Sequence, residues 1–268
     1  MITTKHLLTA AVALGAACLA PASFAAMTWG FQQPGVCSQN SSNANNYGNS
    51  WACGGGNPAL TVSGYSVGTS SGSTFATAFV DDNGGYGFGV KSRTEGLTVT
   101  SPQHAMDNNT GTDVMLLSFS SSVILRQLTL GYFSNDSDIT LLRYTGSTNP
   151  LAAGDLTGLR VGELITNGWS LVGNYNDIGK TTTNVNAAGA SSSWWLLAAY
   201  NSTLAGSSAS ANGKTADSLS DYVKVLSVVA DAVTPPTTGR VSEPGSLALA
   251  GMALLGVFAT RRRPGKAA

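Results

Sequence analysis

Short runs in which apolar and polar residues alternate recur along most of the chain. In residues 138–144 (DITLLRY), Ile139 and Leu141 fall on one face of an extended chain and Thr140 falls on the other, because successive side chains of a strand point in opposite directions. Such runs are rich in β-branched or aromatic residues and are bounded by Gly, Asn, Asp or Ser clusters, which is typical of strands joined by turns. The predicted strands are residues 60–67, 75–80, 86–91, 96–100, 114–119, 123–133, 138–144, 169–175, 194–200 and 222–229.

This number of strands predicts one all-β domain, a jelly-roll-like β-sandwich of two packed sheets over residues 59–232. Residues 151–165 contain the only plausible helical turns, and three glycines keep them short. A polar segment, residues 26–58, precedes the predicted sandwich, and a Pro/Thr linker, residues 233–241, follows it. We see no repeat at a fixed period, so a solenoid or propeller is not expected.

Both ends of the chain depart from the strand pattern. An apolar run at residues 7–19 follows a basic start, and small residues stand at the minus three and minus one positions before Ala26. Residues 1–25 are therefore predicted to be a helical secretory signal peptide. The alternative, a lipoprotein cysteine at Cys18, lacks a leucine three residues upstream.

At the other end, residues 247–260 form an uncharged run of fourteen residues, predicted to be a hydrophobic helix. Such a helix spans roughly 21 Å, against roughly 30 Å for a hydrocarbon core, so it predicts a marginal, transient inner-membrane anchor. Basic residues at its C-terminal end would keep that end in the cytoplasm, whereas a buried core helix is the alternative reading. The turn before the run and the basic cluster after it are Ser242, Glu243 and Pro244, and Arg261, Arg262 and Arg263.

This tail resembles the PEP-CTERM sorting signal of exosortase-processed proteins in Gram-negative bacteria, in which a Pro-Glu-Pro turn precedes an apolar helix and an arginine cluster. Glu243, Pro244, the apolar run and the arginines match that signal, and Ser242 replaces the first proline. The resemblance implies that a membrane exosortase recognises the tail and cuts near Glu243 and Pro244. It also implies export through the inner membrane to the cell surface or extracellular matrix.

The body carries a second resemblance, in residues 104–146, 168–175 and 191–201. These segments are similar to a group of exosortase-dependent surface proteins of unassigned activity. That likeness implies location and processing, and it brings no catalytic residues.

The charge of the body differs from that of the whole chain, which has 14 basic and 14 acidic residues. Residues 26–240 contain nine Lys or Arg and thirteen Asp or Glu residues, a net charge of −4. A mildly acidic body offers no basic patch to nucleic acid, so no nucleic-acid partner is expected. Its two cysteines, Cys37 and Cys53, are predicted to form one disulfide in an oxidising compartment, which contributes about 3 kcal/mol in the chain-entropy model.

One loop offers the oxygens that calcium prefers. Asp107, Asn109 and Asp113 present side-chain oxygens around a glycine turn, and residues 135–138 offer more. Calcium takes six to eight such ligands, so the first loop is a speculative calcium site. The alternative is that these residues make Asx turns between strands, and the loop lacks the closing Glu of an EF-hand. No other cofactor is expected.

Two adjacent tryptophans, Trp194 and Trp195, must point to opposite faces if their run is a strand. One of them is therefore expected to be exposed, or to cover a loop or the edge of the core. An exposed indole stacks well on a sugar ring, which makes this pair a speculative ligand-binding site.

Motifs for catalysis are missing from the sequence. The body has one histidine, His104, which we expect to make a loop hydrogen bond beside Asp107, and no nucleophile or phosphate-loop motif accompanies it. The chain is therefore predicted not to be an enzyme. The leading hypothesis is a structural or adhesive surface protein associated with exopolysaccharide or biofilm. The alternatives are a carbohydrate-binding module and, with less support, a polysaccharide hydrolase.

Overall fold

The structure is a computed structural model that describes part of the chain. The chain divides by its contacts into two compact units, residues 1–233 and 234–268, and nearly all described residues belong to the first. The predicted signal peptide, almost all of the linker and the sorting tail except Met252 lie outside the described residues. The described residues are 26–233 without 33–36, 41–49, 55, 71, 97, 99–100, 151–155, 205–208 and 218, together with Met252.

The described residues are mainly strands, which confirms the all-β prediction. The strands are β1 (Ala26–Gly30), β2 (Cys37–Gln39), β3 (Ser50–Cys53), β4 (Leu60–Gly68), β5 (Ala76–Asp82), β6 (Phe88–Lys91), β7 (Met106–Asp107), β8 (Gly111–Asn135), β9 (Ile139–Tyr144), β10 (Trp169–Tyr175), β11 (Thr182–Asn184), β12 (Ser192–Ala199) and β13 (Asp221–Ala232). Short 3-10 helices occupy Gly84–Tyr86, Val161–Glu163 and Ile165–Asn167. Within this part of the chain, no helix has the length and apolar character needed to cross a membrane.

The longest strand, β8, organises the fold. Its 25 residues replace two predicted strands, because the polar residues 120–122 continue the extended chain instead of ending it. Its first part pairs with β4 on one side and β12 on the other. Its second part pairs with β13 and β11. One continuous strand therefore carries the chain from one group of partners to another.

The strands are joined in one 13-stranded sheet among the described residues, and not in the two separate sheets that the sandwich prediction required. Hydrogen-bonded neighbours follow the order β10-β9-β12-β8-β13-β6-β5-β4-β3-β2, with an additional pairing of β8 with β4. That additional pairing makes β8, β13, β6, β5 and β4 a closed circuit. The long strand closes the circuit because its first half pairs with β4 and its second half pairs with β13.

Apolar residues are buried on both faces of the first half of β8. Met115 and Leu117 contribute to the larger core cluster, whereas Val114 and Leu116 contribute to a second cluster on the opposite face. Strand alternation explains this division, because neighbours in sequence point to opposite faces. The near-continuous apolar run VMLL at residues 114–117 is therefore typical of a strand buried on both sides.

The predicted disulfide is confirmed. Cys37 and Cys53 are bonded and lie directly opposite each other where β2 pairs with β3. The same N-terminal region places Trp29, Phe31 and Trp51 in the larger core cluster. The region predicted as a polar segment therefore packs with the body instead of standing apart from it.

Some predicted strands were wrong at their ends, and some strands of the structure were not predicted. Described residues 96 and 98 are not in a strand, and the predicted strand at 86–91 begins at Phe88, after a 3-10 turn. Among the missed strands, β2 (CSQ) and β11 (TTN) have hardly any apolar residues. Such strands form because a neighbouring strand supplies hydrogen-bond partners. The local hydrophobic pattern does not predict those partners.

Candidate functional site

The structure gathers six acidic residues into two groups of three. We define the first triad as Glu95, Asp107 and Asp113, and the second triad as Asp136, Asp138 and Asp221. In each triad, every residue offers one carboxylate oxygen, and these oxygens lie within 4.8 Å of one another.

Three segments build the first triad. Glu95 lies in the turn after β6, Asp107 ends β7, and Asp113 lies near the start of β8. Ser92 holds the glutamate, because its backbone N–H donates to Glu95 Oε2 at 2.9 Å and its hydroxyl accepts from Glu95 N at 3.2 Å. The backbone N–H of Asn109 donates to Asp107 Oδ1 at 2.9 Å, which is the Asx turn expected as the alternative to a ligand loop.

The first triad is buried and incompletely hydrogen-bonded. Asp107 and Asp113 are only 2% and 3% exposed. One oxygen of each residue, Glu95 Oε1, Asp107 Oδ2 and Asp113 Oδ2, is buried without a hydrogen-bond partner. Burial raises the pKa of Asp107 to about 7, and the nearby charge of Glu95 adds to the rise. Burial, followed by the charges of Asp107 and Glu95, raises the pKa of Asp113 well above its usual value.

The structure brings together two of the three residues of the speculative calcium loop. Asp107 and Asp113 meet, but Asn109 is exposed and its Oδ1 accepts from the hydroxyl of Ser220 at 3.3 Å. Glu95, and not Asn109, is the third residue that meets these two aspartates. The spacing of residues within the loop could not predict Glu95, because Glu95 lies in a separate turn.

The second triad joins the predicted oxygen-rich residues 135–138 to the start of β13. Asp221 Oδ1 accepts from the backbone N–H of Asp138 at 2.6 Å, and Asp221 Oδ2 accepts from the side chain of Asn108 at 2.7 Å. Burial is the main cause that raises the pKa of Asp138 to about 6 and of Asp221 to about 8. The other two aspartates accept from the backbone N–H groups of Ser137 and Asp177.

The sequence predicts a loop hydrogen bond of His104 beside Asp107. In the structure, His104 contacts other residues instead. Its Nε2 lies 2.8 Å from Lys224 Nζ, and its Nδ1 lies 3.7 Å from a carboxylate oxygen of Asp81. Burial lowers the pKa of Lys224 to about 8, although Asp81 opposes that change. Burial and then the charge of Lys224 lower the pKa of His104. β13 carries Lys224 to this histidine from a distant part of the chain, so no local pattern predicts the contact.

A polar groove of about 630 Å³ lies beside the turns that flank the start of β8. Most of its lining side chains are neutral hydroxyls and amides, accompanied by Tyr200 and Leu219. We call this the polar groove, and its lining residues are Gly68, Thr69, Ser70, Ser73, Asn108, Gly111, Thr112, Val161, Gly162, Tyr200, Asn201, Ser202, Thr203, Asp217, Leu219 and Ser220.

Neither predicted ligand-binding tryptophan lines the polar groove. Trp195 is fully buried, and its Nε1 donates to the carbonyl of Ser192 at 3.0 Å. Trp194 is half-buried and packs edge-on against Tyr144, with ring centroids 5.8 Å apart. The two side chains do point to opposite faces, but a core cluster lies on each face of β12, so both indoles serve packing and Trp195 has no surface for a sugar.

Comparison with known proteins identifies the tail. Residues 240–263 match the family model described as the PEP-CTERM protein-sorting motif. No curated protein and no solved structure matches the chain. The matched residues include Glu243, Pro244 and Arg261, which lie outside the described residues. The chain therefore carries a PEP-CTERM protein-sorting motif, which marks it as an exported protein that is processed by exosortase and sorted to the cell surface.

Proposed function

We propose that this chain is a non-enzymatic surface protein of structural or adhesive type, and that its body binds exopolysaccharide in the polar groove. The sorting motif supports display outside the cell. The observation that carries the binding part of the proposal is the chemistry of the groove. Because exopolysaccharide is the proposed ligand, we propose that the protein is located in the extracellular matrix or biofilm.

The polar groove has the size and the groups that a short stretch of glycan requires. Its volume of about 630 Å³ falls within the range of small-ligand sites. The hydroxyl groups of Ser70, Ser202 and Thr203 lie among its lining, and such groups both donate and accept hydrogen bonds, as sugar hydroxyls do. Tyr200 and Leu219 add apolar surface for the faces of sugar rings.

The acidic residues favour binding over hydrolysis. A glycosidase needs two carboxyl groups on either side of the scissile bond, about 5 Å or more apart, with access to substrate. Asp107, Asp113 and Asp221 of the two triads are almost fully buried, so these carboxyl groups lack the access that a substrate requires. Asp217 is the only carboxylate among the described residues that line the groove.

A blocking substitution tests this proposal. Ser202→Trp should fill the groove and weaken binding of the exported protein to exopolysaccharide from its own strain by about tenfold or more, since the ligand would lose its main contact surface. Ser121→Trp is the matched control, because Ser121 is exposed and lies ten residues along β8 from Gly111, which lines the groove. Co-sedimentation with the polysaccharide measures binding.

The same samples separate binding from hydrolysis. We expect no increase in reducing ends during long incubation. Equal binding by the Ser202→Trp and Ser121→Trp variants would contradict the groove as the binding site. Steady release of reducing ends by the native protein, lost in Ser202→Trp, would replace this proposal with a hydrolase.

A further inference from the structure

The first triad combines three features that together point to a ligand. Three acidic side chains meet, two of them are almost fully buried, and each has an oxygen without a hydrogen-bond partner. A buried carboxylate that lacks partners is costly, because it loses the water that would otherwise solvate its charge. A bound cation would offset this cost for Glu95, Asp107 and Asp113 at the same point.

We propose that Glu95, Asp107 and Asp113 bind one divalent cation, and that this cation is calcium. The donor atoms are all carboxylate oxygens, which hard cations prefer, and the triad has no nitrogen or sulfur ligand that would select zinc or copper. Calcium accepts six to eight oxygens in flexible geometry. Three carboxylates therefore supply part of its coordination, and water supplies the rest.

A neighbouring cavity gives water and the ion a place beside the triad. Its volume is about 280 Å³, and both Asp107 and Asp113 line it. The hydroxyl-bearing residues Ser92, Thr94 and Thr110 line the same cavity. These groups can hydrogen-bond to water that completes the coordination of the ion.

The site also ties together segments that are distant in sequence. Glu95 belongs to the turn after β6, Asp107 pairs with Tyr222 of β13, and Asp113 pairs with Ser66 of β4. A bound ion would therefore join this turn to the two neighbouring strand pairings. Because an ion that binds only the folded protein stabilises it, calcium should raise the thermal stability of the body.

The test uses the exported protein, treated with a chelator and then titrated with calcium chloride. At a hundredfold excess over the dissociation constant, calcium should raise Tm by about 5 °C or more. Parallel titrations with magnesium and manganese chloride identify the preferred ion. A weaker response to both than to calcium supports the assignment to calcium, whereas an equal or stronger response to either overturns it.

Variants locate the ion. Asp113→Asn and Glu95→Gln should each lower calcium affinity by about tenfold or more, because each removes a charged ligand. In chelator, Asp113→Asn should be at least as stable as the native protein, since it removes one buried charge, whereas in calcium it should be less stable. This reversal separates a cation site from a merely structural cluster.

Asp138→Asn in the second triad is the matched control, and its calcium affinity should equal that of the native protein. The proposal is overturned if calcium leaves the native Tm unchanged, or if Glu95→Gln and Asp113→Asn respond to calcium as the native protein does. An increase in Tm for Asp113→Asn of the same size with and without calcium would show that the triad shares protons and binds no ion.

Discussion

The two acidic triads contain the same number of carboxyl groups but differ in how their oxygens are bonded. In the second triad, Asp221 uses both carboxylate oxygens to accept hydrogen bonds, one from the backbone of Asp138 and one from Asn108. In the first triad, each residue retains a buried oxygen without a partner. Both triads are composed of three close carboxylates, so the number of acidic residues does not distinguish them.

This difference separates a structural role from a binding role. The second triad connects the segment between β8 and β9 to the start of β13 through the groups that its oxygens accept. The first triad has unused acceptors, and an unused buried acceptor is the feature that a cation would satisfy. Hydrogen-bond satisfaction, and not the number of acidic residues, is therefore the basis on which we propose a cation site in the first triad.

The largest effect is expected where the hydrogen bonds are complete. Asp221→Ala leaves the backbone N–H of Asp138 and the amide of Asn108 without their acceptor, and should lower the free energy of unfolding by about 3 kcal/mol. Urea unfolding measures this loss, which should be the same in calcium and in chelator. Asp82→Ala is the control, because Asp82 accepts one bond, from Gly84 N at 2.9 Å, and should cost about 1 kcal/mol. A loss below about 1 kcal/mol for Asp221→Ala would contradict a structural role for the second triad.

A smaller effect is expected from pH. Burial raises the pKa of Asp138 to about 6 in the folded protein, above its value in the unfolded chain, so the folded state binds the proton more tightly. The stabilisation from this proton is complete below about pH 4 and is lost as pH rises through about 6. Asp138→Asn removes this titration and keeps an oxygen for the backbone N–H of Asp177.

The comparison with the native protein measures the titration of Asp138 together with its effect on Asp221, because the charge of Asp138 also raises the pKa of Asp221. Thermal unfolding in chelator should show the Asp138→Asn variant gaining stability relative to the native protein as pH rises from 4 to 7. A constant difference between Asp138→Asn and native protein at all pH values would show that burial does not shift this group.

The smallest effect is expected at Asn109. Its side chain is exposed and its only described hydrogen bond is the 3.3 Å contact from Ser220, so Asn109→Ala should change stability by less than about 0.5 kcal/mol. Calcium affinity should also stay unchanged, because the backbone N–H that orients Asp107 remains. Calorimetric titration measures the affinity. If Asn109→Ala abolished calcium binding, the ion would belong to the linear loop and not to the triad that includes Glu95.

Local pattern predicted the strands best where turn-forming residues bound a single strand. Residues 169–175 were predicted as a strand and form β10, and the predicted strand at 60–67 is β4 but for one residue. Local pattern predicted the wrong bounds for β8, because three serines at 120–122 are typical of a turn. In the structure, the chain stays extended through these serines and connects two sets of partner strands. The predicted sandwich of two separate sheets is not shown, because β8 joins both sets of partners in one sheet.

Two of the three residues of the first triad were candidates from the sequence. Asp107 and Asp113 are close in sequence and share a turn, so their meeting followed from local geometry. Glu95 could not be found in this way, because it reaches the triad only when its turn packs beside β7 and β8. Lys224 and His104 meet for a similar reason, through the packing of β13.

The sorting tail, the disulfide and the all-β character of this protein follow from the sequence alone. Each of these depends on residues that act locally or in a simple pair: a turn followed by an apolar run and arginines, two cysteines, and alternation with the period of a strand. In contrast, the folded structure was needed to show which carboxylates meet, which of their oxygens lack partners, and which tryptophan is buried. These properties depend on strand pairing across long sequence separations, because hydrogen bonds and burial arise between segments whose meeting the local sequence does not encode.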